Sequence, residues 1–166
     1  MTESNSAQQS VVIERTFEAP AELIWQMWTD PEHFRAWYGP EGAAVPVARM
    51  DVRVGGRRAV CMEVSTGRGL VQMWFAGEYL QVVEHRRLVY TEFMADEHGN
   101  ALPPPGGGAH PAMTEVEVEL EDLGARTKVV LTHRGIPADS PGAAGWAMAL
   151  DKLTARIAAA VRPAAG

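Results

Sequence analysis

Three polar side chains in otherwise apolar runs are the residues best suited to chemistry: Arg58, Glu92 and His133. Histidine has an unperturbed pKa of about 6.5, so His133 is the natural proton carrier in any enclosed site. Glu92 could act as a general acid if it were desolvated. Each also has a structural interpretation: His133 as a core-edge residue bonded to backbone, and Glu92 as the ion-pair partner of Arg58.

Other reaction chemistries find little support in the residue pattern. No Ser, Cys or Lys has a recognisable nucleophile context, which argues against covalent catalysis. The only cysteine, Cys61, excludes an intramolecular disulfide and a zinc site made of several thiolates. The remaining histidines lie in separate turns without metal-ligand spacing, and the glycine runs 55–56 and 106–108 do not open helices as phosphate loops do. We therefore expect no metal and no cofactor.

The composition is that of an ordinary globular protein. The chain has 166 residues, of which 46% are hydrophobic and 22% are charged, and this favours one folded domain. Its net charge of −6, with scattered basic residues, offers no basic surface for nucleic acid or anionic membranes. The lone cysteine and the polar N-terminus, without an apolar signal core, predict a cytoplasmic protein.

Periodicity predicts which elements position these residues. Residues 1–10 read as a disordered leader, and 11–162 as a single domain. Two short helices are expected at 21–29 and 32–37, and a long one between Pro141 and Pro163. The predicted strands are 11–17, 45–54, 57–66, 70–83, 87–95, 113–123 and 127–134. The short turns between them favour an antiparallel meander, whereas the Pro- and Gly-rich connection 96–112 is expected to be irregular, mobile and dispensable for folding.

Side-chain alternation predicts the two faces of the sheet. Residues 114–121 alternate strictly, so their glutamates face water, and Lys128 and Arg134 of the next strand should pair with them. The same parity turns His133 inward, and Cys61 outward. On the neighbouring strands it turns Arg58, Tyr90 and Glu92 toward the long helix, whose apolar stripe begins at Trp146 and Leu150. A single helix is hard to pack at normal interior density against so wide a sheet face with side chains of unequal size, so we predict a cavity between them.

Several short motifs occur in an order that resembles a known superfamily. They are Phe17-Glu18-Ala19-Pro20, Thr29-Asp30-Pro31-Glu32-His33, Trp37-Tyr38-Gly39-Pro40, the run from Asp51 to Arg57, Gly77-Glu78-Tyr79-Leu80, Arg87-Leu88-Val89-Tyr90, Leu131-Thr132-His133 and Gly145-Trp146. In this order they resemble the SRPBCC superfamily of START-like and birch-pollen-allergen-like domains, in the branch of the activator of heat-shock protein 90 ATPase homologues.

The resemblance implies an α+β helix-grip fold, in which a seven-stranded curved antiparallel sheet wraps around a long C-terminal helix. It does not imply a reaction. Two features depart from the family pattern: the connection 96–112 is longer, and Arg58 stands where relatives often carry an aromatic residue.

Three functions remain open at this stage. The leading hypothesis is binding of a small hydrophobic molecule between sheet and helix. The alternatives are a polyketide cyclase or aromatase-like enzyme and a module that stimulates a chaperone ATPase; a homodimer is also left open. The predicted ligand-binding residues are Trp37, Arg58, Met62, Tyr90, Glu92, His133, Trp146 and Leu150, and no residue is assigned a catalytic role.

Overall fold

The computed structural model describes residues 9–103 and 113–161. The strands within this part of the chain are β1 Ser10–Phe17, β2 Ala44–Met50, β3 Arg57–Thr66, β4 Gly69–Val83, β5 Arg87–Ala95, β6 Thr114–Asp122 and β7 Thr127–Arg134. The helices are α1 Ala21–Thr29, α2 Pro31–Trp37 and α3 Pro141–Val161. The predicted number and order of elements are confirmed.

All seven strands form one antiparallel sheet in the order β1-β7-β6-β5-β4-β3-β2. Strands β2 to β7 pair with their sequence neighbours, as the short turns predicted. The first strand pairs instead with the last, from Ser10 opposite Arg134 to Phe17 opposite Thr127. Because β1 and β2 are then the two edges, the intervening helix pair must span one face of the sheet.

Helices α1 and α2 form a tight hairpin at Asp30. The Asp30 side chain accepts a hydrogen bond from the backbone N–H of Glu32 at 2.9 Å, and Pro31 occupies the first turn, where a missing N–H costs nothing. The indole of Trp37 donates to the Met27 carbonyl at 3.0 Å, which ties the second helix to the first. This hairpin fixes where the chain leaves α2 and crosses the sheet.

The long helix α3 packs its apolar stripe against the inner face of the sheet. Trp146, Leu150, Leu153 and Ile157 recur at helical spacing, and all four are buried. On its flank Lys152 donates to the carbonyl oxygens of Tyr38 at 3.3 Å and Pro40 at 3.1 Å. The lysine thereby fastens the end of the helix hairpin to α3.

One predicted strand boundary was wrong by several residues. Strand β2 ends at Met50 and not at residue 54, because Arg53 pairs with the Asp51 carboxylate at 2.9 Å and its N–H bonds the Asp51 carbonyl, which turns the chain. The predicted irregular connection after β5 begins with a hydrogen-bonded turn. Asp96 accepts hydrogen bonds from the backbone N–H groups of His98 and Asn100, and Ala101 bridges back to Ala95. Residues 104–112 and the leader residues 1–8 lie outside the described residues.

The outer face carries the charged network that alternation predicted, with one difference. Arg134 contacts Glu117 at 2.7 Å and Glu115 at 3.0 Å, and Arg87 contacts Glu117 at 3.0 Å and Glu119 at 3.1 Å. Lys128 pairs with Glu14 of β1, at 3.6 Å, and not with the glutamate row. Cys61 also lies on the outer face, opposite Trp74, although it is buried.

The described helices include none with the length and apolar character needed to cross a bilayer.

Candidate functional site

Three neighbouring strands bring a buried ion pair together on the inner face. Arg58 of β3 is registered opposite Gly77 of β4, and the pairs on either side of Gly77 place Glu92 of β5 in line with it. The two charged groups meet across this strand, and a Cβ at Gly77 would collide with the Thr91 carbonyl of β5, so only glycine fits here. Arg58 Nη1 lies 3.7 Å from Glu92 Oε2, and both side chains are buried.

The Arg58 guanidinium lies between two aromatic rings. Its central carbon is 4.0 Å from the centroid of Tyr90 and 5.4 Å from that of Phe34, which is cation–π geometry. Burial alone would lower the pKa of Arg58, but the neighbouring tyrosines and Glu92 outweigh it and the pKa is raised. Arg58 is therefore a permanent buried cation.

Several polar atoms around this cation lack hydrogen-bond partners among the described residues. They are Arg58 Nε and Nη1, Glu92 Oε2 and the hydroxyls of Tyr79 and Tyr90, of which the Tyr79 hydroxyl lies close to the Arg58 guanidinium but outside hydrogen-bond geometry. Burial raises the pKa of both phenols, against the lowering effect of Arg58, so both hydroxyls stay protonated and can donate. A buried polar atom without a partner costs about 1–3 kcal/mol. A cluster of five such atoms is a strong departure from ordinary core packing.

A hydrogen-bonded chain extends from the backbone carbonyl of Glu92, which accepts from Thr114 Oγ1 at 3.2 Å, to α3, and it fixes the tautomer of His133. The Trp146 indole, which can only donate, bonds His133 Nδ1 at 3.0 Å. The proton of neutral His133 is then on Nε2, which lies 2.8 Å from Thr114 Oγ1 and 3.8 Å from Glu92 Oε1. Burial lowers the pKa of His133, and Glu92 opposes that shift only in part. His133 is therefore neutral near pH 7.

Beside the polar cluster, the inner face continues as an apolar strip made of Met62, Met73, Phe75 and Met94. Cross-strand pairing places Met62 opposite Met73 and Phe75 opposite Met94, and Met94 follows Glu92 on the same face of β5. Met62 is buried, whereas the other three are only half-buried. The strip thus leads from the ion pair toward solvent.

Tyr38 covers the junction between the strip and the polar cluster. Its ring stacks on Phe34 with centroids 4.7 Å apart and meets Trp146 edge-on at 5.8 Å. Burial raises the pKa of its phenol well above the usual value, and Glu92 adds to that rise. The following residue, Gly39, has a φ of +90° and lies so close to Met62 that a Cβ there would be 2.8 Å from its sulfur. This left-handed turn needs glycine for both reasons.

The structure places the predicted ligand-binding residues in three groups. Arg58, Tyr90, Glu92, His133 and Trp146 come together in the polar cluster, and Met62 begins the adjoining strip. The other two belong to the packed core: Trp37 lies against Trp28 and Phe34, and Leu150 is covered within the α3 stripe.

Sequence reasoning assigned no ligand-binding role to several residues of this region: Phe34, Tyr38, Gly77, Tyr79 and Thr114 around the cluster, and Met73, Phe75 and Met94 in the strip. The spacing of Tyr79 and Gly77 along β4 was an available signal, because both have inward parity with Phe75. The signal for Thr114 was equally available, since it begins the alternating run and shares the inner face with Val116.

Two surface depressions are found elsewhere on the molecule. One, of about 610 Å³, lies between α1 and the β4–β5 turn and is lined by Trp25, His85 and acidic residues. The other, of about 110 Å³, lies on the outer face beside Trp74 and the turn 96–99. Neither opens between the inner face and α3, so the predicted cavity stays a prediction.

The chain matches the model of one protein family over most of its length. Residues 18–158 match the family described as activator of Hsp90 ATPase homolog 1-like protein. The chain belongs to this family. Among curated proteins no significant match is found.

Solved structures with the same fold come from several bacteria. A protein from Chromobacterium violaceum is 25% identical with a TM-score of 0.73, and the match covers 90% of this chain and 96% of that one. A protein from Nitrosomonas europaea is 20% identical with a TM-score of 0.74, covering 93% and 97% of the two chains. One from Silicibacter pomeroyi is 23% identical with a TM-score of 0.70, covering 91% and 99%. The helix-grip architecture predicted from the residues is confirmed.

Proposed function

We propose that this protein binds a small molecule with an apolar body and a polar head between the inner face of the sheet and α3. The observation that carries the proposal is the set of unpartnered polar atoms on Arg58, Tyr79, Tyr90 and Glu92. The head would lie on this cluster, and the body on the apolar strip. Ligand sites commonly combine an apolar lining with a few convergent polar groups.

Stability alone gives a poor account of these residues. A buried ion pair is often no better than well-packed apolar residues of similar volume, because desolvation offsets the Coulombic attraction. Here the pair is also short of hydrogen bonds, which adds to its cost. A ligand that supplied the missing partners would recover part of this free energy on binding.

The same geometry gives less support to an acid–base enzyme. Both ring nitrogens of His133 are already engaged, one by Trp146 and the other by Thr114. A histidine general base needs a free ring nitrogen within hydrogen-bond reach of the substrate proton, and Glu92, the other candidate, is held in the ion pair with Arg58. Binding without proton transfer is therefore the function that the site supports best.

A neutral apolar dye, Nile red, tests the proposal with two matched variants. Met94 and Phe93 are adjacent on β5 and both half-buried, but Met94 lies on the inner face and Phe93 on the outer. We expect saturable dye binding to the wild type, loss of binding in Met94→Glu, and unchanged binding in Phe93→Glu. An absence of saturable binding to the wild type, or equal loss in both folded variants, would overturn the proposal.

Native mass spectrometry of protein purified from its own host provides an independent test. We expect a small molecule bound in one-to-one ratio that is lost from Met94→Glu and kept by Phe93→Glu.

A further inference from the structure

The polar cluster also specifies what kind of head group it would take. Building on the proposed function, we infer that the preferred ligand carries an uncharged head that both accepts and donates hydrogen bonds, as a primary carboxamide does, and not a carboxylate. The inference follows from the donors and acceptors left unpartnered and from the charge already present.

The unpartnered atoms are mostly donors. Arg58 offers N–H donors on two nitrogens, Nε and Nη1, and the hydroxyls of Tyr79 and Tyr90 offer one each. Glu92 Oε2 can only accept, whereas the two phenol oxygens can accept as well as donate. A complementary head group therefore needs acceptor oxygen facing Arg58 and the phenols, together with at least one N–H or O–H facing Glu92. A carboxylate lacks the donor.

The spacing of the ion pair leaves its two members available to such a group. Arg58 Nη1 and Glu92 Oε2 are 3.7 Å apart, which is an ion-pair contact but too long for a hydrogen bond. An amide places its carbonyl oxygen and its NH₂ on the same carbon. It can therefore accept from the guanidinium while it donates to the carboxylate.

The charge of the site discriminates between an amide and a carboxylate ligand more strongly than its hydrogen-bonding groups do. Arg58 and Glu92 neutralise each other, so a bound carboxylate would add a buried negative charge without a partner, which is strongly unfavourable. No other group facing the pair compensates for it. The phenols of Tyr38, Tyr79 and Tyr90 are neutral, as is His133.

Two further charges of opposite sign lie near the cluster: Asp51, which raises the pKa of Tyr79, and Lys152, which donates to the Tyr38 and Pro40 carbonyls. The other elements packed against the pair contribute neutral groups. Strand β6 contributes Thr114 and helix α3 contributes Trp146, neither of which titrates near neutral pH. A carboxylate ligand would then bind well only in its protonated, neutral form.

Octanamide and octanoate, which share one alkyl chain, provide the test by displacement of Nile red at pH 8. We expect octanamide to bind the wild type at least about tenfold more tightly than octanoate. Lowering the pH should strengthen octanoate binding and leave octanamide binding nearly unchanged. Equal or tighter binding of octanoate at pH 8 would overturn the inference.

The variant Glu92→Gln reverses the charge balance while it keeps the side-chain shape. Arg58 then has no counter-ion, and we expect octanoate to become the tighter ligand. A folded Glu92→Gln that still prefers octanamide would contradict the charge argument. If this variant does not fold, Tyr90→Phe serves as the second test, because it removes one donor and should weaken octanamide binding. The preference of the wild type for octanamide over octanoate at pH 8 then decides the inference.

The inference and the proposed function fail in different ways. If Nile red binds as expected but neither octanamide nor octanoate displaces it, the head-group assignment is wrong and the proposed apolar site stands. If Nile red itself does not bind, the proposed function is wrong and the inference fails with it.

Discussion

The two faces of the sheet carry charge in opposite ways. On the outer face Arg87 and Arg134 share Glu117 between them and reach further glutamates on either side, all within 2.7–3.1 Å. Burial of Glu117 favours a higher pKa, yet the two arginines prevail and lower it. On the inner face Arg58 is far more buried than the outer arginines, whereas Glu92 is about as buried as Glu117. The inner pair is also farther apart and short of partners.

This contrast distinguishes ion pairs that stabilise the fold from an ion pair that does not. The outer network is partly solvated and satisfied by neighbouring strands, which is how an antiparallel sheet normally presents its wet face. The inner pair incurs desolvation without the hydrogen bonds that usually compensate it. We interpret the inner pair as a ligand contact for that reason.

The largest expected effect is that of breaking the inner pair from one side. Arg58→Met leaves Glu92 as an uncompensated buried charge, and the free energy of unfolding should fall by about 3–5 kcal/mol. Urea denaturation measures this loss. The double variant Arg58→Met/Glu92→Leu should recover it, and become up to about 1–4 kcal/mol more stable than the wild type. A double variant as unstable as the single one would show that the pair serves the fold after all.

A smaller loss is expected from adding a methyl group at Gly77, in the strand between the two charged residues. A Cβ at Gly77 would lie 1.8 Å from the Thr91 carbonyl oxygen, so Gly77→Ala must push β4 and β5 apart. Such overpacking should lower the unfolding free energy by about 1–3 kcal/mol. Gly67→Ala is the matched control, because no atom lies near its added methyl group. Equal stabilities of the two variants would mean that β4 adjusts freely at this point.

Removing a charge from the outer network should matter less. Arg134→Met leaves Arg87 in contact with Glu117, and the Arg134 side chain is 45% exposed. We expect a loss of no more than about 1 kcal/mol, shrinking further at high salt. A salt-independent loss of the size expected for Arg58→Met would erase the distinction between the two faces.

The smallest effect near neutral pH concerns His133. Its pKa is lower in the folded protein than in the unfolded chain, so the unfolded state binds more protons below about pH 6.5. Stability should therefore fall as the pH drops below that value. In His133→Asn, which does not titrate, this contribution should be missing. Urea denaturation of both proteins between pH 7.5 and 5 measures the difference, and identical pH profiles would contradict the assigned shift.

Much of the fold could be predicted because the residue pattern encodes it locally. The alternation from Thr114 to Glu121 defined the two faces, and parity then carried Arg58, Glu92 and His133 inward, where the structure has them. The local structure was not predicted where one side chain redirects the backbone. Asp51 ends β2 early through Arg53, and Asp96 orders a turn inside a segment whose composition suggested flexibility.

The site was less predictable because it depends on register between strands. That Gly77 lies between Arg58 and Glu92 follows only from the pairing of β3, β4 and β5, which alternation along each strand does not reveal. Tyr38 follows the end of a helix, where neither helical nor strand periodicity applies. Its position over the cluster depends on Lys152, more than a hundred residues later in the chain.

The pairing of the first strand with the last bears on how the chain folds as it is synthesised. Strands β2 to β6 can form successive hairpins as they leave the ribosome, but β1 has no partner until β7 follows. Even the bond from Thr127 to the Ala19 carbonyl spans 108 positions. At roughly 5–20 residues per second, β1 waits several seconds with its apolar side chains uncovered. Contacts so distant in sequence also slow folding. The docking of β1 on β7 should therefore be a late event, and the newly made N-terminal segment the part of this chain most in need of protection from aggregation.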